Sequence, residues 1–74
     1  MTYSQCVYTT LDSSVLKAAA YSTDETLQLE FRKGAAYRYF GVPRAIFQNL
    51  IIAPSKGTYF NRNIRNSFRY QHVD

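Results

Sequence analysis

The chain has 74 residues, of which 46% are hydrophobic and 16% aromatic, and nine Lys and Arg against five Asp and Glu give a formal net charge of +4 at pH 7. This length allows one domain with a small core and leaves little room for an enclosed catalytic cavity. The apolar content excludes a disordered segment. The positive charge favours contact with polyanions.

Cysteine usage and hydropathy predict the compartment. Cys6 is the only cysteine, so no internal disulfide can form, and a reducing compartment fits best. The N-terminus lacks a basic segment followed by an apolar one, as a signal peptide would have. No apolar run approaches the roughly 20 residues that a bilayer span needs. We therefore expect a cytoplasmic protein without membrane contact.

The first half of the chain predicts strands. Residues 26–32 alternate between apolar and polar side chains, with Leu27, Leu29 and Phe31 on one face, which is the pattern of a half-buried strand. Turn-forming residues flank this segment on both sides. The predicted elements are a loose arm or short edge strand over residues 1–11, followed by strands over residues 15–21, 26–32 and 35–40.

The second half predicts two helices. Pro43 suits the first position of a helix, which should end near residue 52 or 53 because the residue before Pro54 is biased away from helix. Ser55 can cap a second helix, and an apolar stripe extends this helix toward Phe68. The expected fold is α+β, a three-stranded antiparallel meander followed by two helices packed on one face. It forms one domain over residues 12–70, with a tail over residues 71–74.

The turn between the second and third strands decides which way the tyrosines point. A two-residue turn at Lys33 and Gly34 would put Arg38 on the apolar face and Lys33 at positive φ, which is unfavourable. A three-residue turn with Gly34 in the left-handed region avoids both problems. It turns Tyr37 and Tyr39 toward the helices and Arg38 away from them. We therefore expect both tyrosines to be mainly core, and to stack on bases only if the helices leave their rings partly open.

The candidate binding residues lie in the second predicted helix. On a continuous helix Arg62, Arg65 and Arg69 would fall within about 60° of one another, and none has an acidic neighbour three or four residues away. A phosphate backbone would relieve their mutual repulsion, and Lys56 at the helix start could add an anion contact. The alternatives are a solvated helix face for each arginine and a simple capped turn around Lys56.

The sequence offers no catalytic or metal-binding constellation. Cys6, His72 and Asp74 lie in predicted tails, which cannot fix the geometry that a nucleophile and its base require. One His and one Cys do not make a zinc site of the usual composition. We therefore expect a protein that is not an enzyme and holds neither a cofactor nor a metal.

Several short motifs, in order, resemble those of the KTSC domain, found at the C-terminus of some lysyl-tRNA synthetases and as a stand-alone bacterial protein. The resemblance covers roughly residues 12–70. It implies the same small fold, and the synthetase context implies a link to RNA. The matching elements are Ser13-Ser14, Tyr21, Leu27-x-Leu29-x-Phe31, Gly34, Tyr37-x-Tyr39, Val42-Pro43, Ala53-x-Ser55-x-Gly57, Tyr59-Phe60-Asn61 and Ile64-Arg65.

Two functional hypotheses follow. The first is a non-enzymatic module that binds RNA, either tRNA or a single strand, through a basic face. The second is a protein-interaction or homodimerisation module that uses the open sheet face or an edge strand, where Tyr8 and Phe40 would contribute. For the first hypothesis the predicted contacts are Arg62, Arg65, Arg69 and Lys56 to phosphates, with Arg38, Tyr37 and Tyr39 adding base contacts.

Overall fold

The computed structural model describes residues 6–73, which fold into a five-stranded sheet and two helices. The α+β class is confirmed, but the prediction of three strands is wrong. In chain order the elements are β1 (Cys6–Thr10), β2 (Leu16–Ser22), β3 (Leu27–Phe31), β4 (Ala36–Tyr39), α1 (Arg44–Ile52), α2 (Lys56–Asn63) and β5 (Tyr70–Val73).

All strands pair antiparallel, in the order β1-β2-β3-β4-β5. The β3–β4 hairpin has the predicted register, with Leu29 opposite Tyr37 and Leu27 opposite Tyr39. Gly34 adopts φ +103°, and its N–H donates to the Phe31 carbonyl oxygen at 2.9 Å. The three-residue turn is therefore confirmed.

The two additional strands lie at the edges of the sheet. β1 corresponds to the short edge strand that was one of the two alternatives predicted for residues 1–11. β5 occupies most of the range predicted as a tail, so that prediction is wrong there. Four residues carry too little local preference to predict a strand. β5 instead depends on non-local pairing, with Tyr70 opposite Tyr39 and His72 opposite Tyr37.

Both helices pack on the same face of the sheet. Tyr21 of β2 stacks on Phe47 of α1 with ring centroids 4.9 Å apart and an interplanar angle of 9°. Phe60 of α2 lies edge-on to Tyr39 at 5.7 Å and to Phe31 at 5.4 Å. These rings join a buried aliphatic core of Leu11, Leu16, Leu27, Leu29, Val42, Leu50 and Ile64.

Helix α2 is shorter than predicted. Ser55 caps its start as expected, because its side chain accepts from the Thr58 N–H at 3.4 Å. The helix ends at Asn63, where the Asn63 side chain donates to the Tyr59 carbonyl oxygen at 3.2 Å. Asparagine is a poor helix former, and Ile64 at the C-cap leaves helical geometry at φ −120°. The predicted extension of this helix to Phe68 is wrong.

Candidate nucleic-acid interface

The hairpin register separates the aromatic and basic residues of β4. Tyr37 and Tyr39 lie on the face that the helices cover, and Tyr39 is only 4% exposed. Arg38 lies on the opposite face, where its guanidinium donates to Gln28 Oε1 at 3.2 Å. A single ligand on one face of the sheet therefore cannot contact Arg38 together with the two tyrosines.

The early end of α2 also separates the three arginines, so the predicted common helix face is wrong. Arg62 is in the helix, whereas Arg65 follows it, and its N–H donates to the Phe60 carbonyl oxygen at 2.9 Å. Arg69 immediately precedes β5, where its carbonyl oxygen accepts from the Phe40 N–H at 2.9 Å. Because side chains alternate along an extended strand, Arg69 and Tyr70 belong to opposite faces. The three guanidinium groups are all exposed but do not form one stripe.

Lys56 closes the turn between the helices. Its Nζ donates to the Ala53 carbonyl oxygen at 3.0 Å, which satisfies a backbone group at the end of α1. It borders a cleft of about 350 Å³ between α2 and the β1–β2 loop, whose lining includes Asp12. The carboxylate of Asp12 disfavours an anion in this cleft. The capped-turn interpretation of Lys56 therefore fits this geometry best.

Strand β5 places Tyr70 and His72 beside the tyrosines of β4. On the helix-side face, the Tyr37 ring centroid lies 5.0 Å from that of His72 and 5.8 Å from that of Tyr70. Tyr70 also lies 5.7 Å from Tyr39, at an interplanar angle of 36°. Tyr37 is half-buried, while Tyr70 is 60% exposed. The helices thus cover Tyr39 and leave the outer rings open. We call Tyr37, Tyr70 and His72 the β5 aromatic patch.

Arg65 places a positive charge near Tyr39, the ring against which Tyr70 packs. Burial raises the pKa of the Tyr39 hydroxyl, and the Tyr37 and Tyr70 hydroxyls raise it further. The positive charge of Arg65 lowers this pKa, so its guanidinium lies within electrostatic reach of the Tyr39 hydroxyl. Arg65 itself is exposed, so its charge is accessible from solvent.

The charged side chains between the end of β3 and the end of β5 all have one sign. Residues 31–73 contain eight Lys and Arg and no Asp or Glu. The acidic residues described by the structure are confined to the β1–β2 loop, the β2–β3 turn and β3. A surface of this kind attracts polyanions, and a bound phosphate chain would reduce the repulsion among its cations.

Sequence reasoning missed Tyr70 and His72. The two residues are separated by one position, as are neighbours on one face of a strand, but a four-residue segment gives too few alternations to identify a strand. Their location became evident only from the pairing of β5 with the outer edge of β4.

The opposite face of the sheet carries a row of side chains that crosses all five strands. Each member lies directly opposite the next on the neighbouring strand. Tyr8 at the β1 end is 59% exposed, and its hydroxyl donates to Glu30 Oε1 at 3.4 Å. Neither helix covers this face. From β1 to β5 the row consists of Tyr8, Ala20, Gln28, Arg38 and Gln71.

Residues 6–73 carry neither a metal-binding cluster of side chains nor a membrane-spanning helix. In this range there is no group of three or more His, Cys, Asp or Glu side chains that could hold a metal ion. Neither of the two helices within it is long and apolar enough to cross a bilayer.

Comparison with known proteins gives relatives of two kinds. The lysine–tRNA ligase of Nostoc sp. is 43% identical over 63 residues, and that of Trichormus variabilis is 41% identical over 63 residues. Each match covers 84% of this chain, but the chain spans only 11% of the length of either ligase. A protein of Stutzerimonas stutzeri is 38% identical over 66 residues, which cover 86% of this chain and 93% of that protein.

Solved structures and family profiles agree with these relatives. The crystal structure of a KTSC domain protein from Yersinia pestis superposes with a TM-score of 0.89 at 28% identity, covering 95% of this chain and all of the other. The profile of the KTSC domain family matches residues 12–68. The resemblance noted in the sequence is therefore confirmed, and the chain belongs to the KTSC domain family.

Proposed function

We propose that this chain is a small, non-enzymatic module that binds RNA, or another single-stranded nucleic acid, through the side of the domain formed by β4 and β5. The observation that carries this proposal is the exposed Tyr70 ring packed on Tyr39, with Arg65 near the Tyr39 hydroxyl. All three residues lie within a stretch of 43 residues, 31–73, that has no acidic side chain. Interleaved cations and exposed rings are the usual means of holding a nucleic acid strand.

The relatives add support from their context. Two of them are lysine–tRNA ligases, enzymes whose name includes an RNA substrate. A basic appended domain would raise the local concentration of RNA near such an enzyme by its charge alone. For this chain we propose the same class of ligand, tRNA or a single strand, in a cytoplasmic setting that fits its single cysteine.

Arg65 is the phosphate contact we propose first, with Arg62 and Arg69 as exposed cations on either side of it in the chain. Tyr37 contributes through its half-open ring, whereas Tyr39 supports the ring cluster from the core. Arg38 and Lys56 already donate to Gln28 and to the Ala53 carbonyl oxygen. We therefore assign these two residues at most secondary contacts.

A titration of the full chain with labelled tRNA and with a labelled oligonucleotide, at low and moderate salt, tests this proposal. We expect binding that weakens as salt rises, because neutralising phosphates releases condensed counterions. Absence of binding at low salt, or affinity independent of salt, would refute it. Chemical-shift changes should cluster on residues 62–72.

A different observation favours a second function, a contact with protein or with a second copy of the chain. The edge strand β1 has no charged residue, and Val7 is 54% exposed. An uncharged edge with unpaired backbone groups invites addition of another strand. Sedimentation at two concentrations distinguishes this function, because self-association requires the apparent mass of the protein to rise with its concentration. Chemical-shift changes on addition of RNA would then be confined to the open face of the sheet or absent.

A further inference from the structure

Tyr70 combines high exposure with fixed neighbours. It is 60% exposed, yet its ring contacts Tyr37 at 5.8 Å and Tyr39 at 5.7 Å, and its backbone pairs with Tyr39 of β4. The core therefore holds one side of the ring while the other side remains in solvent. A ring that is already oriented loses little conformational entropy when a flat ligand stacks on it.

The surroundings of Tyr70 specify the chemistry of such a ligand. A series of ring contacts leads outward from the core. Tyr70 lies at an interplanar angle of 36° to Tyr39, and Tyr37 contacts His72 edge-on. Arg65 brings a positive charge near the hydroxyl of Tyr39, the buried ring that packs against Tyr70. A flat aromatic group attached to an anion would satisfy both features at once.

A tyrosine on an edge strand has an ordinary explanation, because aromatic residues are common in strands and shield the sheet below. Tyr8 on β1 fits that explanation. It is equally exposed at 59%, and its hydroxyl donates to the carboxylate of Glu30, which would repel a phosphate. Tyr70 differs from Tyr8 in having two ring neighbours, Tyr37 and Tyr39, of which Tyr39 lies within electrostatic reach of Arg65.

We propose that the β5 aromatic patch binds an unpaired nucleobase, which stacks on the exposed side of Tyr70 while Arg65 contacts an adjacent phosphate. This inference rests on the proposed function and narrows it from nucleic acids in general to strands with free bases. In a duplex the base faces are occupied by one another, so a stacking site selects single strands, loops and ends. Charge alone would not make that distinction.

The test compares three labelled ligands of equal phosphate number: a single-stranded oligouridylate, the same backbone with abasic sites, and a duplex. Each is titrated at low salt with the full chain and with the variants Tyr70→Ala, Tyr70→Phe and Tyr8→Ala. Tyr8→Ala is the matched control, since it removes an equally exposed ring on the opposite face and the opposite edge.

We expect the abasic strand and the duplex to bind more weakly than the oligouridylate. Tyr70→Ala should weaken binding of the oligouridylate roughly five- to a hundredfold, which is the range for losing one base–ring stack, and should leave binding of the abasic strand unchanged. Tyr70→Phe should keep the affinity of the wild type, because the ring rather than the hydroxyl forms the stack. Tyr8→Ala should bind all three ligands as the wild type does.

Two results separate failure of this inference from failure of the proposed function. If the abasic strand binds as tightly as the oligouridylate and Tyr70→Ala has no effect, the stacking site is refuted while binding of a polyanion remains. If no ligand binds at low salt, both fail. Should Tyr70→Ala not fold, the ring protons of Tyr70 in the wild type provide the answer: they must shift on addition of oligouridylate and stay in place with the abasic strand, and any other pattern overturns the inference.

Discussion

The Tyr21 hydroxyl donates a 2.6 Å hydrogen bond to the carbonyl oxygen of Val42. This bond ties β2 to the segment that precedes α1, and both residues are buried. The carbonyl oxygen of Val42 therefore depends on Tyr21 for a partner that water would otherwise supply.

Replacement of Tyr21 by Phe should destabilise the domain by about 1–3 kcal/mol, the cost of leaving a buried acceptor unsatisfied. The stack on Phe47 would be retained, since the ring is unchanged. Urea denaturation measures the difference. Tyr8→Phe is the control, because its hydroxyl bond to Glu30 is exposed and should contribute less than about 0.5 kcal/mol. Equal stability of the two variants would contradict the assigned role of the Val42 bond.

The hairpin turn gives a second prediction. Gly34→Ala should cost about 1–2 kcal/mol, because a side chain disfavours the left-handed backbone that Gly34 adopts at φ +103°. A Cβ atom at this position would meet nothing within 4 Å, so the cost is conformational and not steric. Thermal or urea unfolding measures the loss of unfolding free energy. Lys33→Ala is the control, because Lys33 is exposed and its replacement should change this free energy by less than about 0.5 kcal/mol. An unchanged Gly34→Ala variant would rule out the left-handed turn.

Alkaline pH should destabilise the domain through Tyr39. Burial is the main cause that raises its pKa above the ordinary value of 10.0. Because the folded pKa is the higher one, the stabilising contribution is complete below about pH 10 and disappears as pH rises through the folded value. Tyr39→Phe should therefore show a shallower loss of unfolding free energy above pH 10 than the wild type. Identical pH profiles would disprove the assignment.

Arg65 should contribute to nucleic acid binding more than Arg44 does. Both side chains are exposed and carry the same charge, but Arg44 lies at the start of α1 beside β2 residues such as Tyr21, remote from the β5 aromatic patch. Arg65→Ala should weaken binding and reduce the magnitude of the salt slope by about one, as expected for loss of one phosphate contact. Salt-dependent titrations measure both variants, and a larger effect of Arg44→Ala would contradict the proposed interface.

Local chemistry explains which parts of the fold could be predicted. The position of Gly34 and the charge of Arg38 together predict the β3–β4 register, because the three-residue turn keeps Lys33 out of positive φ and Arg38 off the face of Leu27 and Leu29. The end of α2 could not be predicted in this way. The stripe of Phe60, Ile64 and Phe68 has helical spacing, but the helix ends at Asn63 and Ile64 leaves helical geometry at φ −120°.

The candidate site was predicted only in part for the same reason. Tyr37, Tyr39 and Arg65 were identified from composition and spacing, whereas Tyr70 entered the site through strand pairing across 30 residues of chain. Pairing at that distance depends on how the helices return the chain to the sheet, which no local pattern records. The relation between Arg65 and the rings therefore became evident only in three dimensions.

The connectivity of β5 has a consequence for motion. The other four strands are joined by short hairpin loops, whereas β5 reaches the sheet only after both helices and pairs along one edge alone. Such a strand can detach without disrupting the hydrogen bonds of β1 to β4, so its amide protons should exchange with solvent faster than those of β3. Each opening would separate Tyr70 from Tyr37 and abolish the stacking surface while the remainder of the domain stays folded.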